Sequence, residues 1–170
     1  MSSIDATHTG SLSKVVVLGA TGRLGRLLRP FWRGHPVTWQ SRQTQSGFET
    51  VDIESDQTSL VRLLNDADAV FCLAGATNAN GADMELNTTL AKATLDAAAR
   101  AGAGRVFLAS SAAVYGDEAN ILDEESHVAP LSAYGKSKRR MEQMARSHPH
   151  PNTCLRIGNI AGADAILGHW

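Results

Sequence analysis

Short apolar runs alternate along the chain with longer stretches in which apolar residues recur at helical spacing. The short runs are typical of buried strands, and the longer stretches are typical of helices that cover them. The pattern predicts strands over 14–18, 36–40, 49–53, 69–74, 105–109 and 153–157. It predicts helices over 22–33, 57–65, 83–101 and 131–147. Because Pro30 lies within the first of these helices, we expect that helix to end or kink near it.

The alternation predicts an α/β fold, a doubly wound, Rossmann-like parallel sheet of about six strands. Residues 1–13 are predicted to be a disordered lead-in, and residues 14–170 to form one domain. Such a sheet binds its ligand outside the carboxyl ends of its strands. Functional residues are therefore expected in the loops that follow strands.

The first of these loops contains three evenly spaced glycines. Gly19, Gly22 and Gly25 follow the apolar run Val15–Leu18 and lead into a helical stretch. A strand, a glycine turn and a helix N-terminus together form a site for the pyrophosphate of a dinucleotide. The spacing G-x-x-G-x-x-G differs from the general fingerprint G-x-G-x-x-G, so a tight turn that binds nothing is the alternative.

A second candidate site combines the end of the fifth strand with the fourth helix. Tyr134 and Lys138 are four residues apart and therefore lie on one face of that helix. An ammonium group beside a phenol favours the phenolate, so we expect Lys138 to lower the pKa of Tyr134 and to fit it for acid–base work. Ser111, after the fifth strand, is placed to hold a substrate oxygen. Taken alone, a Tyr-x-x-x-Lys spacing is more often a solvated pair.

Composition narrows the function classes. The chain has a 43% apolar and a 19% charged fraction and a net charge of −1, which favours a small-molecule substrate over nucleic acid or an acidic membrane as partner. No apolar run is long enough to span a bilayer. The two cysteines, Cys72 and Cys154, lie in predicted buried strands, which favours a cytoplasmic protein. The six histidines show no metal-site spacing, and we expect His148 and His150 to be exposed in a loop.

Several motifs in order resemble the extended short-chain dehydrogenase/reductases, and more narrowly the NAD-dependent epimerase/dehydratase family. The resemblance covers residues 14–162. The motifs are Gly19-Ala20-Thr21-Gly22-Arg23-Leu24-Gly25, Asp52-Ile53, Glu85-Leu86-Asn87, Ser110-Ser111 to Tyr115-Gly116, Tyr134-Gly135-Lys136-Ser137-Lys138 with Glu142, and 155–162.

The resemblance implies a role for each matching residue. Tyr134 would be the acid/base, Lys138 would lower its pKa and hold the nicotinamide ribose, and Ser111 would bond the reacting oxygen. Asn87 would be a structural or water-relay residue, with a simple helix start as an equal alternative. The residues expected to contact the cofactor are Gly19, Thr21, Gly22, Arg23, Leu24, Gly25, Ser41, Arg42, Asp52, Ile53, Leu73, Ala74, Gly75, Asn87, Tyr134 and Lys138. The implied chemistry is hydride transfer at a nucleotide sugar or a similar carbonyl or alcohol substrate, with no metal.

The choice of cofactor follows from the end of the second strand. NAD binding favours a carboxylate about 20 residues after the glycine turn. The segment 39–43 contains no acid, and Ser41 and Arg42 could instead accept a 2′-phosphate. NADP is therefore favoured over NAD, with a solvated Arg42 and NAD as the alternative.

Family members usually continue into a smaller C-terminal portion that caps the sheet and supplies substrate contacts. We therefore expect this chain to be a fragment or a truncated relative that binds dinucleotide weakly and turns over slowly. Two functions stay open, namely an oxidoreductase or epimerase/dehydratase and a dinucleotide-binding module without catalysis. The resemblance also implies a possible homodimer through the third and fourth helices.

Overall fold

The computed structural model describes residues 13–77, 83–116 and 121–160. The predicted lead-in therefore lies outside the described residues, except for Ser13. The strands are β1 (Val15–Leu18), β2 (Val37–Ser41), β3 (Glu49–Thr50), β4 (Ala69–Cys72), β5 (Arg105–Ser111) and β6 (Asn152–Ile157). The α-helices are α1 (Arg23–Leu28), α2 (Gln57–Leu64), α3 (Leu86–Ala101) and α4 (Ala133–Ser147), and a 3-10 turn spans Ala112–Val114.

The six strands form one parallel sheet in the order β3-β2-β1-β4-β5-β6. The chain moves outward from β1 to β3, then crosses back to place β4 against the other edge of β1. The strand order thus reverses between β1 and β4, and the crevice above this point is where sheets of this topology bind nucleotides. The predicted doubly wound parallel sheet is confirmed.

Alternate residues of the strands face two different apolar layers. On one face, Val16 and Leu18 of β1 pack with residues of α2, α3 and α4, such as Leu60 and Leu95, and all four are fully buried. On the other face, Val15 and Val17 pack in a smaller cluster together with aromatic side chains. The larger layer fixes the three helices against the sheet and so positions the residues at their N-terminal ends.

The smaller layer is built from aromatic rings. Trp32, in the turn after α1, lies with its ring centroid 5.4 Å from that of Phe71 and 6.1 Å from that of Trp39. Phe71 stacks in turn on Phe107 of the neighbouring strand at 4.7 Å. The contacts of Trp32 hold the segment after α1 against the sheet.

Several element boundaries differ from the sequence-based prediction by two residues or more, and three of them have a clear physical reason or bear on the site. α1 ends at Leu28 rather than at residue 33, because Pro30 has no N–H to continue the helix. β3 is limited to Glu49–Thr50, because the chain turns at Asp52, whose carboxylate accepts hydrogen bonds from the next backbone N–H groups. β5 continues past the predicted end to Ser111, which pairs with Ile157.

Three expectations about single side chains are also corrected. Cys72 is buried, but Cys154 is only partly buried because β6 is the last strand of the described sheet. His150 is not exposed: its imidazole is 8% exposed and its Nε2 lies 2.8 Å from the carbonyl oxygen of Gly104. His148 is partly buried and bonds Asp96.

Candidate functional site

The glycine turn lies at the point where the strand order reverses. Gly19 has a φ of +72°, and a Cβ added there would lie 2.5 Å from the backbone nitrogen of Ala74, so only glycine lets β1 and β4 end side by side. A Cβ on Gly25 would overlap the backbone of Ala20, so this glycine lets α1 pack against the turn. Gly22, the residue before α1, is exposed, and a Cβ added there would have only the carbonyl oxygen of Gly19 nearby, at 3.1 Å. The backbone is therefore accessible to a ligand at the start of α1.

The remaining predicted residues of this loop follow directly. Thr21 is part of the turn, Arg23 is exposed in the first turn of α1, and Leu24 is partly buried beside it. All three residues lie at the carboxyl end of β1, as the sequence pattern predicted.

Gln40 supports the glycine turn from below, and sequence reasoning missed it. Its side chain is 1% exposed; its Oε1 accepts from the N–H of Gly19 at 2.8 Å and its Nε2 donates to the carbonyl of Val51 at 2.5 Å. A polar residue in the last positions of a buried strand was the available signal. Gln40 ties the ends of the first three strands together under the predicted cofactor site.

Ser41 and Arg42 follow at the end of β2. Ser41 is 1% exposed, and its Oγ accepts hydrogen bonds from Gln43 N and Gln45 Nε2, both at 3.0 Å. Arg42 is exposed. Both residues line a cleft beside α1.

Asp52 and Ile53 lie at the same edge of the sheet, after β3. Asp52 Oδ1 accepts from the N–H groups of Glu54 and Ser55, and these bonds, with the Ser55 N–H first, lower the pKa of this carboxyl. Ile53 is buried in the larger apolar layer. The Asp52 carboxylate is thus engaged in its own turn.

The loop after β4 brings the cofactor residues and the catalytic candidates together. Leu73 and Ala74 are partly buried, and Gly75 is exposed. A Cβ on Gly75 would lie 2.5 Å from Asn87 Oδ1 and 3.2 Å from Lys138 Nζ. Because Gly75 has no side chain, the loop can lie directly against the catalytic lysine candidate.

Asn87 holds this loop in place. Its Oδ1 accepts from the N–H of Ala76 at 3.1 Å, and its Nδ2 donates to the carbonyl of Ala76 at 3.2 Å and to Ser137 Oγ at 2.9 Å. Ser137 donates in turn to the carbonyl of Tyr134 at 2.8 Å. The buried Ser137, which lies between the two catalytic candidates and was not predicted as a site residue, links them to the loop after β4.

α4 begins beside this loop. Ser132 caps the helix by accepting from the N–H of Gly135 at 2.9 Å, so Tyr134 lies in the first turn. Lys138 is one turn further on, 5% exposed, and its Nζ lies 5.7 Å from the centre of the Tyr134 ring. The ammonium donates to the carbonyl of Ala109 at 2.8 Å. Burial lowers the pKa of Lys138.

The acid–base balance of Tyr134 differs from the sequence-based expectation. Burial raises the pKa of Tyr134 above its ordinary value, and a hydrogen bond with the Ser111 side chain offsets only part of this effect. The Lys138 ammonium, which lies 5.7 Å from the centre of the ring and donates to Ala109, is not among the groups that shift this pKa. Ser111 is thus the neighbour that favours the phenolate form of Tyr134.

A buried ion pair supports the Ser111 loop from behind. Arg156 donates to both carboxylate oxygens of Glu142 at 3.0 Å, and Ser110 Oγ donates to the same carboxylate at 2.6 Å. Arg156 also donates to the hydroxyl of Tyr115 at 2.9 Å. Burial alone would raise the pKa of Glu142, but the bonds from Arg156 and Ser110 outweigh it and lower this pKa. β5, β6 and α4 are therefore joined directly behind Ser111.

Two further features bear on the class of site. Within 13–77, 83–116 and 121–160, no group of three histidine, cysteine or carboxylate side chains is arranged to hold a metal ion. Across the same residues, no helix is long and apolar enough to cross a membrane.

Comparison with known proteins agrees with this geometry. Residues 15–168 match the model of the NAD dependent epimerase/dehydratase family. A UDP-glucose 4-epimerase of Azospirillum brasilense is 39% identical over 83 residues, which are 46% of this chain and 24% of that protein. Among solved structures, a mutated uronate dehydrogenase is 28% identical with a TM-score of 0.71, covering 87% of this chain and 59% of its own. MoeE5 in complex with UDP-glucuronic acid and NAD is 27% identical with a TM-score of 0.71, covering 84% of this chain and 54% of its own.

The chain spans little more than half the length of these solved structures. The match to the family model nevertheless includes every element of the sheet, the glycine turn and the residues around Tyr134. The chain belongs to the NAD-dependent epimerase/dehydratase family.

Proposed function

We propose that this chain forms the nicotinamide dinucleotide site and the proton-transfer site of an enzyme that acts on a nucleotide sugar or a similar carbonyl or alcohol compound. The observation that carries the proposal is the position of Lys138 Nζ, which lies next to both Gly75 and the Tyr134 ring. The loop predicted to contact the cofactor and the predicted acid/base thus meet at one edge of the sheet. If the glycine turn bound no ligand, Lys138 would not need to lie beside both Gly75 and Tyr134.

The residues present fit a dinucleotide. Gly22 leaves the backbone open at the start of α1, and Gly75 leaves the space beside Lys138 free of a side chain. The pyrophosphate would lie at the glycine turn, and the nicotinamide ribose would lie beside Gly75, within reach of Lys138. When bound, the nicotinamide supplies or takes up hydride.

The chain's own residues would handle the proton. Ser111 and Tyr134 would both bond the reacting oxygen of the substrate, and Tyr134 would give a proton to it or take one from it. Because the pKa of Tyr134 is raised by burial, the phenol is protonated at neutral pH. This form suits proton donation to a carbonyl, whereas oxidation of an alcohol needs the phenolate and should become faster as the pH rises.

The proposal covers both NAD and NADP. MoeE5 was solved with NAD, and the family is described as NAD dependent. In this chain the end of β2 reads Trp39-Gln40-Ser41-Arg42-Gln43 and offers no carboxylate to a ribose diol. We infer a preference for the phosphorylated cofactor, for which Arg42 is the candidate partner.

The substrate class follows by similarity alone. The relatives include a UDP-glucose 4-epimerase and a complex with UDP-glucuronic acid, which favours a nucleotide sugar. Epimerisation, dehydration and simple oxidation all use the same proton and hydride steps. A homodimer and a cytoplasmic location stay predictions.

The test combines binding with turnover. The full chain is titrated with NADH and NADPH, followed by nicotinamide fluorescence, and then incubated with the oxidised cofactors and a set of UDP-sugars while reduced nicotinamide is measured. Tyr134→Phe should keep cofactor binding and lose about 100-fold or more of any turnover. Absence of cofactor binding by the full chain would overturn the proposal.

The second candidate, a binding module without catalysis, predicts a different outcome. It requires the glycine turn but not Ser111, Tyr134 and Lys138, which the structure brings together. Cofactor binding with no hydride transfer from any UDP-sugar, and with Tyr134→Phe identical to the natural chain in every assay, would favour the module.

A further inference from the structure

The end of β5 is fastened to α4 at three successive positions. Each of the last three residues of β5 interacts with a different turn of the helix, and the pairs are Ala109 with Lys138, Ser110 with Glu142, and Ser111 with Tyr134. The three helical partners are four residues apart, so they lie along one face of α4. The strand and the helix are therefore held in one register beside Ser111.

The hydrogen bond from Ser110 is the strongest candidate for setting this register. Ser110 Oγ donates to Glu142 Oε1 at 2.6 Å, and the two residues are only 3% and 7% exposed. Hydrogen bonds to an ionised acceptor are shorter and stronger than those between neutral groups. Two N–H groups of Arg156 hold the same carboxylate from β6. Removal of the Ser110 hydroxyl would therefore break a link between β5 and α4 and leave the Glu142–Arg156 pair in place.

Ser110 acts at a distance from the reacting groups. Successive residues of a strand point to opposite faces of the sheet, so the Ser110 side chain faces α4 whereas the Ser111 side chain lies on the other face. Ser111 Oγ accepts from the N–H of Ala113 at 3.2 Å and so lies at the start of the segment that follows β5. Any effect of Ser110 on the chemistry must pass through the position of α4.

Gly135 lets the first turn of α4 approach that same segment. It is buried, and a Cβ added there would overlap the carbonyl oxygen of Ala113 and lie 3.1 Å from Pro130 Cβ. Glycine is a poorer helix former than alanine, so helix stability does not explain a glycine directly after Tyr134. The close contact between the helix and Ala113 does explain it.

We propose that Ser110 and Gly135 are positioning residues for proton transfer, because the hydrogen bond from Ser110 to α4 and the absence of a side chain at Gly135 hold Tyr134 against Ser111. The inference rests on the proposed function, in which Tyr134 and Ser111 bond the same substrate oxygen. Proton transfer requires both groups within hydrogen-bond reach of that oxygen. A small displacement of α4 should therefore slow the reaction without weakening the binding of the cofactor.

The first test needs neither substrate nor cofactor. The ultraviolet titration of Tyr134 is measured in the full chain, and each variant is compared with the same variant carrying Tyr134→Phe. Burial raises the pKa of Tyr134 and the Ser111 side chain offsets part of this effect, so moving the phenol away from Ser111 should raise the midpoint. Ser110→Ala and Gly135→Ala should each raise it by at least about 0.5 pH units, and Ser111→Ala should raise it as well.

Two matched controls separate position from stability. Thr94→Val removes another fully buried hydroxyl, which donates to the carbonyl of Leu90 within α3. Gly158→Ala adds a methyl group that meets no atom within 4 Å. Both controls should keep the midpoint of the natural chain, with near-ultraviolet circular dichroism showing at each pH that the chains are folded.

The two substitutions act differently, because one removes a hydrogen bond and the other adds a methyl group, so either folded variant tests the inference. An unchanged midpoint in folded Ser110→Ala or Gly135→Ala would overturn the role of that residue. An unchanged midpoint in both, or in Ser111→Ala, would overturn the inference as a whole.

Turnover separates this inference from the proposed function. Ser110→Ala and Gly135→Ala should lower the rate of hydride transfer at least about tenfold at unchanged cofactor affinity. Equal turnover of the natural chain and both variants would overturn the inference and leave the proposed function intact. Shifted midpoints in a chain that binds no cofactor would overturn the proposed function, while the role of Ser110 and Gly135 in placing Tyr134 would stand.

Discussion

Asn87 and Ser137 are hydrogen-bonded across the site, with Asn87 Nδ2 2.9 Å from Ser137 Oγ. Asn87 also satisfies both backbone groups of Ala76, and Ser137 donates to the carbonyl of Tyr134. One buried pair therefore connects the loop next to the predicted cofactor position with the first turn of α4. Loss of the Asn87–Ser137 hydrogen bond should therefore disturb both this loop and the start of α4.

Replacing Ser137 tests this connection. Ser137→Ala leaves a donor of the buried Asn87 without its partner, so we expect a loss of about 1–3 kcal/mol in the free energy of unfolding and weaker cofactor binding. Ser147→Ala is the matched control, because Ser147 makes the same type of bond to Met144 on the same helix but is exposed. Urea unfolding and cofactor titration should separate the two variants, and equal small losses would contradict the connection.

The Glu142–Arg156 pair predicts a large effect from a small change. Glu142→Gln removes the charge that compensates the largely buried Arg156, which should cost about 3–5 kcal/mol in the free energy of unfolding. Glu85→Gln breaks the exposed ion pair with Arg140 and should cost at most about 1 kcal/mol. Similar losses in urea unfolding would show that burial of the first pair is unimportant.

The same carboxylate predicts how stability depends on pH. The pKa of Glu142 is lowered in the folded chain, so its contribution is fully present above the ordinary value of 4.5 and is lost as the pH falls through the folded pKa. Unfolding measured between neutral and acidic pH should therefore show a steeper loss of stability in the natural chain than in Glu142→Gln. Parallel curves would exclude this role for Glu142.

The titration of Tyr134 distinguishes burial from the effect of Lys138. The chain has two tyrosines, so the ultraviolet difference between the natural chain and Tyr134→Phe reports Tyr134 alone. Because burial raises this pKa, the midpoint should lie above the ordinary value of 10.0, with near-ultraviolet circular dichroism showing that the chain is still folded. A midpoint below 10.0 would mean that the lysine dominates, as the sequence alone suggested.

Much of this architecture follows from local sequence. Strand and helix periodicity located every element of the sheet, and Pro30 marked the end of α1. Ser111, Tyr134 and Lys138 could be grouped because helical spacing and the common edge of parallel strands are local and topological rules. The positions of side chains in space required the structure: the Lys138 ammonium is drawn to the carbonyl of Ala109, and no sequence rule gives that distance.

The sequence patterns did not predict the hydrogen bonds between polar side chains and residues far away along the chain. Gln40 reaches Gly19 across 21 residues, and Ser137 reaches Asn87 across 50 residues. Each is a polar residue in a buried position, which sequence patterns mark as unusual without naming its partner. His150 was misplaced for the same reason, since its partner Gly104 is 46 residues away.

The central claim is that the glycine turn and the group around Tyr134 form one dinucleotide site that is continuous at Gly75. Titration of reduced cofactor against Gly75→Ala tests it most directly, because the added methyl group would lie 2.5 Å from Asn87 Oδ1 and 3.2 Å from Lys138 Nζ. Gly158→Ala is the control, since its Cβ meets no atom within 4 Å. We predict that Gly75→Ala binds the cofactor at least about tenfold more weakly while remaining folded, since one tenfold step corresponds to about 1.4 kcal/mol, and that Gly158→Ala binds normally. Unchanged cofactor affinity in a folded Gly75→Ala chain would contradict the account.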